Sequence, residues 1–429
     1  MKPSTLPQAS DYHRRPIKVL NAVWAQLNRL GIANIQLDER SLIAEAARQT
    51  GLSDYGNEDF LVPMRILLDA LETEADLNPV GRYMNRASIV RILKHRLYVQ
   101  DLLQRHPEIL ERQLPDPVVV VGLARSGTTR LHRLLAADER FLHLKAWETV
   151  NPVPYPESYT TTPDPRITGI EKGLKAVLYM GPQIASVHPL GAHEVEEEVG
   201  LLQHSFSSQL FEIQAKIPSF SQWLITHDQT AAYEYMVTLL KVISWYRDDP
   251  VDKPWVLKTP QHMQDLDALI KVFPNAKLIC SHRDPIKAVG SACSMTWNAI
   301  VRDSASVTAD WVGSEWMDKT EQMLLKTQGV RENLVPAENQ YDVLYADIGA
   351  DWEQAITGIY DFLGMGFTPQ AHSGMEDWLA ANQQHKHGAH KYSLAEFGLN
   401  PETVDQRLMF YREKYAIPYE SHNPNLTTS

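Results

Sequence analysis

The sequence predicts an α/β protein: a three-layer α/β/α arrangement around a central parallel sheet of about four to five strands, with a helical N-terminal region and a helical insertion. Three observations carry this prediction. Val118 to Val121 is a run of four valines between Pro117 and Gly122. A β-branched run bounded in this way reads as a strand buried on both faces, as in a parallel sheet. Three further apolar runs, at 255–257, 277–281 and 341–345, are each followed by a helical pattern, at 264–272, 286–296 and 351–363. Strands alternating with helices imply crossover connections between parallel neighbours. Finally, the valine run opens into a glycine-spaced loop and a helical pattern at 128–137. A weaker strand signal lies at 141–144.

Residues 1–114 form the predicted helical region. Val19, Leu20, Val23, Trp24 and Leu27 recur at helical spacing within 16–30, and Ser41 with Glu45 opens a run at 42–48. The pattern continues at 60–71 and 88–110. Nothing in it carries chemistry, so it reads as a cap or an oligomerisation layer, the latter making a homodimer. The style changes at Pro115-Asp116-Pro117, and 115–429 is the predicted α/β domain. Between its second and third strand signals, at about 151–253, lies an insertion that starts with Pro152, Pro154, Pro156, Pro163 and Pro165. Ligands bind at the carboxyl ends of parallel strands, so an insertion there is placed to cover a substrate.

Composition narrows the classes. The chain has 429 residues, 44% hydrophobic and 22% charged, with a net charge of −12. That balance argues against nucleic-acid binding, which needs a basic face. Cys280 and Cys293 are the only cysteines, which suits a reducing compartment. Residues 1–20 carry Lys2, Asp11, Arg14 and Arg15 and no apolar run, so they do not read as a secretory signal, and no apolar stretch reaches membrane length. The expectation is a cytoplasmic protein with no integral membrane segment.

Gly122-Leu123-Ala124-Arg125-Ser126-Gly127-Thr128-Thr129 keeps the G-x-x-x-x-G spacing of a phosphate-binding loop between a strand and a helix. Such a loop points backbone N–H groups at an anion, and the helix dipole adds to the attraction. The usual lysine is replaced by Thr128, and a cation enters the loop instead as Arg125. A second anion site is suggested by Arg283 at a strand end, in His282-Arg283-Asp284-Pro285, with Ser291 eight residues later. Either feature alone also fits a turn or a surface pair.

Together these features resemble the PAPS-dependent sulfotransferase family, in its large bacterial branch. The resemblance spans about 116–415 and includes Trp147-Glu148, Trp255 to His262, His390 to Leu394 and Phe397-Gly398-Leu399. It implies that the first loop holds the 5′-phosphosulfate of PAPS (3′-phosphoadenylyl sulfate) and that Arg283 with Ser291 holds the 3′-phosphate. It implies no metal. Two departures stand out: the C-terminal RKGxxGDWKN-type loop of animal cytosolic members is absent, and their KTH motif is here Lys258-Thr259-Pro260-Gln261-His262.

Sulfuryl transfer needs a held donor, charge neutralisation and a proton acceptor. Gly122, Arg125, Ser126, Gly127, Thr128 and Thr129 suit the donor, and Lys258 suits transition-state charge. Glu148, beside apolar Trp147, is the first expected base, since an apolar neighbour raises a carboxyl pKa. His262 follows, then His188 and His193. His193 and Glu197 are spaced to share a helix face, although Glu194, Glu196, Glu197 and Glu198 together read as a solvated face. His385, His387 and His390 are crowded without metal-site geometry. Residues 387–392, with Lys391 and Tyr392, read as a basic flap over the nucleotide or as a polar loop. The expected acceptor is a small, partly apolar molecule that offers a hydroxyl or an amine, its identity unread, and the expected products are PAP and the sulfated acceptor. A small-molecule kinase and a non-catalytic nucleotide-binding scaffold are the rivals. A thermal-shift comparison separates the three. The sulfotransferase reading predicts stabilisation by PAP, the desulfated donor, beyond that by ADP or ATP; a kinase predicts a Mg-dependent ATP shift, and a degenerate scaffold predicts no preference for PAP.

Overall fold

The computed structural model describes residues 14–32, 34–180, 191–304, 306–382 and 392–420. Four strands form one sheet: β1 (Val118–Val121), β2 (Val256–Lys258), β3 (Lys277–His282) and β4 (Gln340–Leu344). Their order is β2-β1-β3-β4, and every pairing is parallel. The expected strand at 141–144 reduces to a single bridge, Leu142 to Trp255 on the outer side of β2. The chain then turns away, because Lys145 bridges Val195 in the antiparallel sense.

The valine run behaves as a doubly buried strand must. Val119 and Val121 point into one core with Leu257, Leu278 and Cys280. Val118 and Val120 point into another with Val256, Ile279 and Val343. The first core is closed by the helices Thr230–Arg247, Leu266–Val272, Pro285–Ile300 and Ala309–Leu334. The second is closed by the helix Thr128–Leu135 through Leu131, Leu134 and Leu135, by Trp352–Phe362 and by Pro369–Ala381. This is the expected three-layer α/β/α sandwich. The 26-residue helix Ala309–Leu334 was not read in the sequence.

The N-terminal helices are α1 (Arg15–Arg29), α2 (Glu39–Thr50), α3 (Leu61–Thr73) and α4 (Pro79–Arg105). Asp38, not Ser41, starts α2: its carboxylate accepts the Ser41 backbone N–H at 2.9 Å. Residues of α2, α3 and α4 share a third core with Phe206, Phe211 and Phe220 of the insertion. α4 reaches onward into the first core through Val99 and Leu102. α2, α3 and α4 therefore buttress the insertion.

Register fixes where the strands end. Val120 pairs with Lys258 and Val121 with Cys280. His282 pairs with Leu344. The glycine loop, Lys258, Arg283 and Tyr345 thus emerge at the same carboxyl edge. β1 connects toward β2 and β3 toward β4, on opposite sides of the β1/β3 pair, so the crevice for a ligand lies above that pair. Leu257 is fully buried immediately before Lys258. L257A is expected to cost about 3 kcal/mol, read from the urea midpoint; a loss within error would contradict this packing.

Candidate active site

The loop after β1 turns through two left-handed residues, Arg125 at φ 71° and Gly127 at φ 87°. A Cβ on Gly127 would come within 2.5 Å of the Tyr345 ring, and one on Gly122 within 2.7 Å of the Ser281 carbonyl. The Ser126 hydroxyl donates to the Leu123 carbonyl at 2.7 Å, and Ser281 Oγ donates to the Ser126 carbonyl at 2.7 Å. The Ser126 side chain thus helps to set the shape of the loop. The helix Thr128–Leu135 starts without any side-chain cap, leaving its first N–H groups for an anion.

Arg125 and Arg283 converge on this loop. Arg283 Nη1 donates to the Arg125 carbonyl at 2.7 Å. Arg125 Nε donates to Ser291 Oγ at 3.1 Å. Ser291 thus grips the loop arginine, where the sequence paired it with Arg283. Burial lowers the Arg125 pKa, and the second guanidinium lowers it further. Burial also works against the charge of Arg283, but Glu420 more than offsets it and the net shift is upward. The Arg283 guanidinium lies 4.1 Å from the centre of the Tyr345 ring. Tyr392 packs against Gly290 and donates its hydroxyl to the Lys287 carbonyl at 3.1 Å. Tyr345 was missed in the sequence; its only signal was an aromatic at a strand end. Lys391, His188, His385, His387 and His390 lie outside the described residues.

Lys258 is buried at the end of β2 and held at both ends by consecutive glutamates. Glu198 Oε2 accepts its backbone N–H at 3.0 Å. Its Nζ pairs with Glu197 and donates to Thr129 Oγ1 of the loop at 2.9 Å. Behind this clamp, His262 pairs with Glu198 through Nε2, and the Tyr233 hydroxyl lies 2.8 Å from Nδ1. Burial pushes the Glu198 carboxyl up, but His262, His132 and the Lys258 N–H outweigh it, so its pKa falls below the usual range. Burial, reinforced by Lys258, pushes His132 down to about 3.

The expected bases are rearranged. Glu148 is no lone carboxylate beside Trp147: Arg247 Nε donates to its Oε1 at 2.7 Å, and Oε2 accepts the Lys145 N–H at 2.8 Å. His262 is fully buried, with the Glu198 carboxylate beside Nε2 and the Tyr233 hydroxyl beside Nδ1. His193 and Glu197 share no helix, since residues 191–198 form no helix, and His193 is exposed. The acidic run is not a solvated face either, because Glu198 is fully buried and Glu197 is turned onto Lys258.

The turn carrying His262 rests on Gln261, whose Nε2 donates to the Ser207 carbonyl at 2.7 Å and to Asp265 Oδ2 at 2.9 Å. Burial pushes the Asp265 carboxyl up to about 7. Unfolded, such a group titrates near ~4. Folding then favours the protonated form, so this contribution to stability is fully present below ~4 and declines as pH rises toward ~7. D265N is expected to gain stability over the wild type at pH 8 relative to pH 4, in urea titrations; an identical difference at both pH values would contradict the buried proton.

A sulfotransferase family model matches residues 117–369. The omega-hydroxy-beta-dihydromenaquinone-9 sulfotransferase Stf3 of Mycobacterium tuberculosis is 24% identical over 326 residues, 74% of this chain and 79% of that protein. The crystal structure of sulfotransferase STF1 from Mycobacterium tuberculosis matches with a TM-score of 0.75 and 31% identity, covering 86% of this chain and 98% of that one. Sulfotransferase STF9 from Mycobacterium avium matches with a TM-score of 0.79 and 26% identity, covering 90% and 99%.

Proposed function

The chain belongs to the sulfotransferase family, and from that premise we propose that it moves a sulfuryl group from PAPS to a hydroxyl of a small, partly apolar acceptor, releasing PAP. One observation carries the donor assignment: the Arg283 guanidinium donates to the Arg125 carbonyl, so two cationic residues are joined at the loop that leads into an uncapped helix start. A donor with two separate phosphate sites suits two cations better than one with a single phosphate chain does. The glycines keep the loop in this shape, since a Cβ on Gly122 would strike the Ser281 carbonyl and one on Gly127 the Tyr345 ring.

In this reading the loop amides, Arg125 and Thr129 receive the 5′ side of the donor, while Arg283, Ser291 and Tyr392 receive the 3′-phosphate. Lys258 Nζ, already on Thr129, neutralises charge that builds on the moving group and the leaving phosphate. As the acceptor oxygen bonds to sulfur and the bond from sulfur to the phosphate oxygen breaks, the acceptor proton needs a base. Glu197 takes that role in preference to Glu148, because Glu197 is part-exposed and beside Lys258, whereas Glu148 is buried on Arg247. Glu198, His262 and Tyr233 keep Lys258 in place. The kinase alternative lacks the GK[ST] tail, and Asp284 is committed to Arg412 at 2.7 Å and to the Ile286 N–H at 3.1 Å.

The name of the Mycobacterium relative supports an alcohol on an apolar carrier as the acceptor class. Among the described residues no helix is long and apolar enough to cross a membrane. E197Q is expected to lower turnover by about 10²- to 10⁴-fold with labelled PAPS and an acceptor panel, while PAP binding by calorimetry changes little. Near-normal turnover in E197Q would remove Glu197 as the base.

A further inference from the structure

Arg283 is already gripped by a carboxylate of its own chain. Its Nε donates to Glu420 Oε1 at 2.7 Å and its Nη2 to Glu420 Oε2 at 2.8 Å. This is the two-pronged geometry by which a guanidinium receives a phosphate or carboxylate. The third nitrogen, Nη1, is used on the Arg125 carbonyl. The face of Arg283 best shaped for a 3′-phosphate therefore holds Glu420.

The backbone of Glu420 is anchored independently of this pair. Its N–H donates to Asp284 Oδ2 at 2.9 Å. Asp284 Oδ1 accepts from Arg412 Nη2 at 2.7 Å, and the Arg412 guanidinium lies 3.7 Å from the centre of the Tyr419 ring. The Tyr419 hydroxyl donates to Asp405 Oδ2 at 2.7 Å. The strap thus stays fastened if the Glu420 side chain turns away. That side chain is 26% exposed against 9% for Arg283, so solvent can receive the carboxylate when it leaves.

We propose that Glu420 stands in for the 3′-phosphate: it holds Arg283 while no nucleotide is bound, yields it to a 3′-phosphorylated nucleotide, and takes it back as PAP departs. The proposal rests on the assignment of the 3′-phosphate to Arg283. A phosphate monoester carries about −1.5 to −2 charge and three acceptor oxygens, so it outcompetes a single carboxylate. A nucleotide with a free 3′-hydroxyl has nothing with which to displace Glu420. Glu420 therefore weakens PAP, hastens its exchange and leaves ADP untouched.

Calorimetry with PAP and with ADP on the full chain tests this in the wild type, E420Q, E420A and R283A, with circular dichroism to check each fold. E420Q and E420A are expected to bind PAP about fivefold or more tightly than the wild type, with unchanged ADP affinity, and to release PAP more slowly in stopped flow. R283A is expected to lose the preference for PAP over ADP. If R283A loses that preference but neither Glu420 variant binds PAP more tightly, Glu420 is a buttress for Arg283 and the proposal is overturned while the 3′-phosphate assignment stands. If R283A keeps its full preference for PAP, the assignment falls and the proposal falls with it.

Discussion

The parallel register of β1 against its two neighbours is the constraint on which the rest depends. Val120 opposite Lys258 and Val121 opposite Cys280 set three chain segments to end level with one another. A glycine loop, a lysine and an arginine from three separate stretches of the chain thereby share one edge. Slipping either pairing by one residue would turn the alternating valines to the wrong cores. Both faces are sealed by apolar side chains, so that slip is heavily penalised.

Charge organisation follows from this edge. Cations gather there: Arg125 and Arg283 on the β1/β3 side, Lys258 on the β2 side. Each is held by a group that limits the cost of burying it: Ser291 for Arg125, Glu420 for Arg283, and Glu197 with Glu198 for Lys258. A buried charge without such a partner is strongly unfavourable. The chain's net charge of −12 thus conceals a local cationic crevice lined with its own carboxylates. The same carboxylates bear directly on function, Glu197 as the proposed base and Glu420 as the proposed stand-in anion.

The four strands and the loop were legible because their signals are local. Four valines before a glycine, or an apolar run before a helical pattern, need no knowledge of distant residues. The site partners were not legible for the opposite reason. Glu148 meets Arg247 across 99 residues and Arg283 meets Glu420 across 137. Four glutamates within five residues look solvated until the fold turns two of them onto one lysine. The single-bridge fate of 141–144 depended on Lys145 finding Val195. The helix Ala309–Leu334 escaped notice because its buried positions include Lys319, Thr320, Thr327 and Arg331, which blur the apolar stripe.

The central claim is that the crevice over β1 and β3 takes a nucleotide with phosphates at both ends of its ribose. A crystal structure with PAP bound tests it most directly. The account predicts the 5′-phosphate against the amides of the Gly122 to Thr129 loop and the 3′-phosphate on Arg283, with Glu420 turned aside. A 3′-phosphate lodged elsewhere, with the Arg283–Glu420 pair intact, would contradict it.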